Sequence, residues 1–427
     1  MTRATPRGPL GRLADRPPPG WARRALGALA GVPIALMVAA GGTAIAVGGH
    51  PPADVPPPVA APTATPATSV PPPPAPSAPP GEPAAPTRRI TMAFTGDVLV
   101  HERLWQAAAA HAGGDEAFDF RPLLGPIRPT IAGADLAICH LETPLSPDDR
   151  GLTSYPVFET PHEVADAVAW AGYDGCSTAS NHSLDGGVSG VAATLRWLDR
   201  AGLRHAGTAR TPAEARRLTR YRVDGVAVAH LSATWGFNGF SPDHGWRANR
   251  IDVARLLADA RRARRAGADL VVVSLHWGVE YTHVPTSYQR RVAALLTRGD
   301  AIDLIVGHHA HVVQPVHREG GTWVAYGLGN HLSGMTSSLG TEAVADGVVL
   351  VVTASRGPGG RWTLTPRVVP TRVEEGRWRV LPVAATLGRA WPSPALAADL
   401  RASWGRTMAA VRALGDDVAA VGRMPSG

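Results

Sequence analysis

From residue 89 onward, apolar residues come in short runs that end on polar ones, and these runs alternate with stretches of roughly 3.6-residue periodicity. That rhythm predicts strands joined by amphipathic helices, an α/β organisation. The predicted strands cover 90–96, 136–140, 173–179, 226–232, 270–276 and 304–307, and the helices between them 102–112, 161–171, 187–201, 251–266 and 287–298. Farther along, 322–328, 347–354 and 361–383 are strand-rich with glycine turns, so antiparallel strands are expected there. A last helix opens with Ser393 as its cap and Pro394 at its first position. It lines Leu396, Leu400, Trp404, Met408 and Val411 along one stripe, which predicts packing on the domain.

The segments before residue 89 follow another pattern. Residues 25–49 carry no charge and are long enough to cross a bilayer as a helix. Arg23 and Arg24 stand directly before them, which predicts a cytoplasmic basic tail over 1–24 and places everything after Gly49 outside. A cleaved signal peptide, cut near Ala39 or Ala46, is the alternative to this anchor. Between Pro51 and Pro86 lie 16 of the 40 prolines and almost no large apolar side chain. Such a segment has little to bury, so 50–88 is predicted to be a disordered stalk extending roughly 3 Å per residue. The domain with chemistry is then 89–385, with 386–427 as a terminal helical segment packed on it.

The 427 residues, 44% of them hydrophobic and 18% charged, suffice for a sizeable core. The formal charge of +7 is uneven: the first 24 residues hold six arginines against Asp15, a net +5, which leaves +2 for the rest. Without a basic run interleaved with aromatics, no nucleic-acid partner is expected. Lysine is absent, which excludes a Walker A lysine and a Schiff base. Two cysteines cannot build a disulfide framework or a four-thiolate zinc site. Cys139 and Cys176 read as buried free thiols in predicted strands, with one bridge between adjacent strands as the alternative.

Histidine is the informative residue: 15 of 16 lie between His101 and His331, several where a strand ends and a loop begins. In open α/β sheets that edge binds ligands. The clusters are Thr95-Gly96-Asp97 with His101 close behind, His140-Leu141-Glu142, Ser180-Asn181-His182, His276 to Glu280, Gly307 to His311, and Gly329-Asn330-His331. A lone histidine is more often a core or loop residue, but six clusters in one relative position are hard to explain by packing. A carboxylate, an amide and several imidazoles on separate strand ends are what a two-metal hydrolase requires. A bridging aspartate would hold both ions, and imidazoles suit zinc, manganese or iron. His182 or His276 is placed to protonate a leaving oxygen, with Glu280 orienting one of them. A serine hydrolase is not expected, because no Gly-x-Ser-x-Gly elbow is present.

At these residues the sequence resembles the poly-gamma-glutamate capsule-synthesis (CapA) family. The matching pieces are TGDVLVH at 95–101, HLETPLS at 140–146, ASNHSLDGG at 179–187, LHWGVEY at 275–281, GHHAHVVQP at 307–315 and YGLGN at 326–330, within about 89–353. The resemblance implies a four-layer α/β/β/α metallophosphoesterase-like sandwich, exported and membrane-attached, that makes or handles an anionic surface polymer, alone or with membrane synthase subunits. It also implies metal ligands at Asp97, Glu142, Asn181, His182 and His276 and in the 307–311 loop, with His309 and His311, or His308 and His311, supplying the last. The chain departs from the family at His140, where NLE is common, and at His331, where an aromatic is common. A phosphoesterase would also carry Asp-x-His after its first strand, whereas His101 follows Asp97 two residues late. Two functions fit: a metal-dependent hydrolase, or a non-catalytic subunit that holds the growing polymer near a synthase.

Overall fold

The computed structural model describes residues 88–422 except Asp115 and Pro358. The predicted tail, anchor and nearly all of the stalk (1–87) lie outside the described residues. Among the described residues no helix is long and apolar enough to cross a membrane.

Among the described residues, fifteen strands form two sheets. In chain order they are β1 Arg88–Leu99, β2 Leu136–Leu141, β3 Gly175–Ser177, β4 Arg204–Ala206, β5 Thr219–Val223, β6 Val226–Thr234, β7 Leu270–His276, β8 Leu304–His308, β9 Val316–Glu319, β10 Thr322–Ala325, β11 Asn330–Ser333, β12 Asp346–Arg356, β13 Trp362–Glu374, β14 Arg379–Pro382 and β15 Ala419–Ala420. The first sheet runs β14-β13-β12-β1-β2-β3-β4, with β11 also on β1 and β15 on β13; the second runs β5-β6-β7-β8-β10-β9. In the first sheet β1 to β4 are parallel, and β12, β13 and β14 are antiparallel additions. In the second, β6, β7, β8 and β10 are parallel.

The strand period of two decides which core each side chain enters. Ile90, Met92 and Phe94 of β1 meet Leu270 and Val272 of β7 and Val306 of β8 in one core between the sheets. Ala93 and Val98 point the other way, onto Leu104, Val164 and Leu195 from the helices Glu102–His111, Glu163–Ala171 and Gly187–Arg200. Val271, Val273 and Leu275 of β7 likewise face Ala260 and Val292 of the helices Val253–Arg265 and Ser287–Leu296. Helices, sheet, sheet and helices thus stack as four layers. The β7 sequence LVVVSLH is apolar throughout because both of its faces are covered.

Parallel strands place their C-terminal ends on one edge, and register aligns the polar residues there. Asp97 pairs with His140 and His140 with Ser177 across β1, β2 and β3. Thr234 pairs with His276 and His276 with His308 across β6, β7 and β8. Just before Asp97 the register of β1 on β2 shifts, and Gly96 sits so close to the following loop that a Cβ there would lie 2.0 Å from Gly329 O. Only glycine fits that approach.

The terminal helix Pro394–Val411 is capped by the Ser393 hydroxyl, which accepts from Leu396 N at 3.2 Å. Leu400 packs with Leu381 and Val383, while Met408 and Val411 close the core between the sheets. Leu396 and Trp404 are only partly buried at its edge.

The structure corrects several expectations. Cys139 and Cys176, opposite each other in β2 and β3 with Cα atoms 4.4 Å apart, form a disulfide and are not free thiols. The antiparallel strands and glycine turn expected over 361–383 are present, as β13, the turn at Gly376 (φ +83°) and β14, but the run ends by entering the helix Val383–Leu387. The strand expected over 173–179 pairs only at Gly175–Ser177, since the chain then leaves the sheet to form the loop carrying Asn181 and His182.

Candidate metal centre

Both rows of strand-end residues face one cluster. Asp97 is buried, with Oδ2 accepting from His309 N at 3.2 Å and lying 3.1 Å from His311 Nδ1, and Oδ1 3.2 Å from His308 Nδ1. Glu142, one residue past β2, lies 3.7 Å from His311 Nε2 and 3.8 Å from His276 Nε2, and neither of its buried oxygens has a hydrogen-bond partner. His276 Nε2 is 2.8 Å from Asn181 Oδ1, and its Nδ1 is 2.9 Å from His140 Nε2. His140 Nδ1 in turn meets Ser177 Oγ at 2.8 Å, and its ring stacks on His308 with centroids 4.0 Å apart.

Ligand-type atoms of Asp97, His140, Glu142 and His276 all lie within 4.8 Å of one another, as do those of Glu142, His309 and His311. Two donor groups therefore share Glu142. Asp97, the residue expected to bridge, accepts from His309 N–H at Oδ2 and leaves its buried Oδ1, like both Glu142 oxygens, without a hydrogen-bond partner. The donor set of carboxylates and imidazoles suits a borderline divalent metal.

His309 and His311 adopt left-handed backbone (φ +86° and +55°), as do Asn238 (φ +49°) and Tyr281 (φ +61°) in nearby loops. Non-glycine residues are uncommon in that region, and it is from the 307–311 loop that His309 N–H and His311 reach Asp97.

The electrostatics follow from burial. Desolvation pulls His140 and His276 well below the ordinary histidine range and His309 to about 3, which favours the neutral imidazole, the form that ligates metals. Desolvation raises Glu142 well above the usual carboxylate range. In His311 burial is outweighed by Glu142 and Asp97, which push it up to about 10. In Asp97 burial is likewise outweighed, by His308 and His311, which hold its carboxyl below the usual range.

A cavity of about 520 Å³ opens at the cluster, lined among others by His101, Phe158, His182, Glu280, Tyr281 and His311. His182 stands at its wall with Nδ1 2.7 Å from Asp185 Oδ2, an oxygen that also accepts from Phe158 N at 2.8 Å. Glu280, expected to orient His182 or His276, lines the same cavity as His182. Asp185 orients His182 and His140 orients His276, while Glu280, past the turn at Gly278 (φ +107°), is exposed at the mouth.

The structure thus brings together Asp97, Glu142, Asn181, His276, His309 and His311, with His182 at the wall. Sequence reasoning did not count His140 among the candidate ligands, although it lies near the end of a strand like the others and joins the cluster, and offered His308 only as an alternative to His309. It also missed Asp185, three residues after His182, and Asn238, whose Oδ1 accepts from Asn181 Nδ2 at 3.3 Å. Asn238 lies in the loop after β6 and carries no sequence signal.

Two mixed α/β sheets meeting at a buried cluster of carboxylates and imidazoles define the class: a layered α/β protein with a candidate metal centre at its strand ends. Within that class, the signature of the bacterial capsule synthesis protein PGA_cap matches residues 91–335, and the chain belongs to this family. It is 26% identical over 286 residues to the PGA biosynthesis protein CapA of Bacillus subtilis (strain 168), covering 65% of this chain and 71% of that one. With the capsule biosynthesis protein CapA of Bacillus anthracis the identity is 28% over 255 residues, covering 57% and 59%. Among solved structures, the calcineurin-like phosphoesterase YfkN from Bacillus subtilis aligns with a TM-score of 0.41 at 13% identity, covering 77% of this chain and 100% of that one.

Proposed function

We propose that this member of the capsule family is an exported protein, anchored by residues 25–49, that binds two divalent ions (manganese, zinc or iron). It would use them in a hydrolase-like reaction on an anionic surface polymer such as poly-gamma-glutamate. The observation that carries this reading is Glu142, fully buried with two unpartnered oxygens and shared by two groups of imidazole and carboxylate donors. An isolated buried carboxylate is costly, and a shared cation removes that cost.

The ligands would be Asp97, His140, Glu142 and His276 on one side and Glu142, His309 and His311 on the other, with Asn181 Oδ1 beside His276 as a neutral oxygen. When bound, such ions polarise the scissile group and lower the pKa of a water. The chain itself supplies the rest. His182, fixed by Asp185, stands at the cavity wall to give a proton to the leaving oxygen, and Phe158 packs edge-on against its ring at 4.8 Å. The Cys139–Cys176 disulfide supports export, since such bonds persist in oxidising compartments.

Metal analysis of the purified full-length protein, followed by hydrolysis assays on poly-gamma-glutamate and on a chromogenic phosphodiester, tests the reading. Bound metal close to two ions per chain, with turnover abolished by a chelator, is the expected result. A chain that holds no metal and binds the polymer without cleaving it would replace this reading with that of an assembly subunit.

A further inference from the structure

A second cavity, of about 410 Å³, lies where β4 of one sheet and β5 and β6 of the other meet the helix Val253–Arg265, and no residue of the metal cluster lines it. Its lining carries a surplus of positive charge. The three carboxylates there are already engaged: Asp199 and Glu214 by Arg210, and Asp259 by Arg262. Arg204, Arg217 and Arg250 line the same cavity, and none has a carboxylate partner among the described residues. Arg204 lies over the Tyr221 ring at 5.9 Å, and Arg250 donates only to Trp235 O at 3.2 Å.

At the inner end are His230 and Ser232 of β6, 1% and 2% exposed. His230 meets Ser274 Oγ through Nε2 at 2.9 Å, which leaves Nδ1 without a partner, and Ser232 Oγ has none either. Unpaired polar atoms are rare in a protein interior, and two of them lining one cationic cavity point to a polar ligand group inside it.

We propose that this cavity is an anion-binding subsite, separate from the metal centre, that grips a chain bearing spaced carboxylates. Ser232 and His230 would receive one group, while Arg204, Arg217 and Arg250 would hold its neighbours. Spaced groups fit better than one compact anion because the three arginines stand on different segments: β4, the turn before β5 and the run before the helix Val253–Arg265. That the chain is the family's polymer rests on the function proposed above; the subsite itself does not need the metal.

The test is calorimetric titration of the full-length protein with a γ-linked glutamate oligomer in excess chelator, so that the metal centre contributes nothing. Wild-type protein should bind, more weakly as salt rises. The Arg204→Ala/Arg217→Ala double variant should bind about tenfold more weakly, the loss expected for charge-assisted contacts. Ser232→Ala should also weaken binding, whereas Asp97→Asn in the metal centre and Arg401→Ala on the far helix should not. Unchanged binding in the double variant, abolition by Asp97→Asn, absence of binding in chelator, or equally tight binding of inorganic phosphate at this site would each overturn the subsite. Protein that carries no metal as purified and does not cleave the polymer, yet binds the oligomer through Arg204 and Arg217, would overturn only the hydrolase reading.

Discussion

Glu142 concentrates the consequences that a single side chain can have in this protein. Because both donor groups share it, Glu142→Gln is expected to lose most of the bound metal in elemental analysis, whereas His140→Gln, which removes one donor of one group, should lose less. Asp185 acts one step back, through its contact with His182. Asp185→Asn should keep the metal and lower turnover about 10–100-fold, the usual effect of removing such a supporting partner, with a displaced pH profile as the distinguishing readout. Away from the ligands, burial alone holds His331 at about 3, and burial aided by His308 holds His230 at about 3. Unfolded histidine titrates near 6.5, so the unfolded chain takes up these protons first. Stability is complete above about pH 6.5 and falls by up to about 1.4 kcal/mol per pH unit per group as the pH drops toward 3. Thermal melts of chelated protein between pH 7 and 5 should show the decline, and His230→Gln should flatten it.

Two elements support the site without touching it. The disulfide staples β2 to β3 one residue before the paired His140 and Ser177, and it closes a loop spanning 37 positions. Chain entropy assigns such a bridge about 4 kcal/mol. Cys139→Ser/Cys176→Ser, or reduction, should lower the melting temperature and loosen the His140–Ser177 contact, visible as weaker metal retention. The terminal helix is the second element. Ser393→Ala removes its cap and should cost about 1 kcal/mol in denaturant unfolding. Deleting 393–427 uncovers Leu381, Val383 and the end of the core between the sheets, so the truncated protein should melt lower and aggregate. An unchanged melt would make that helix an appendage.

For the whole molecule, the proposal of an anchored, exported domain rests on the uncharged run 25–49 behind Arg23 and Arg24. Cell fractionation should place the full-length chain with membranes, with the region from Arg89 onward open to external protease. A soluble exported form beginning near residue 40–50 would show that the segment is cleaved.

The short apolar runs at 90–96 and 270–276 already determined strands, and the 3.6-residue rhythm of 187–201 and 394–411 determined the helices that cover them. These are local properties, fixed by neighbours within one or two turns of chain. The histidines at strand ends likewise marked the edge where chemistry would lie. What the sequence could not determine was anything that depends on register between distant strands. Cys139 faces Cys176 only because β2 and β3 pair in step, and His140 joins the cluster only because that step sets it between Asp97 and Ser177. That His308 and His311 come within 3.2 Å of Asp97 is likewise settled by how the loop after β8 folds back across the two sheets. Such pairings join residues as far as 212 positions apart, where no local pattern reports which ends will meet. Tertiary packing alone decided them.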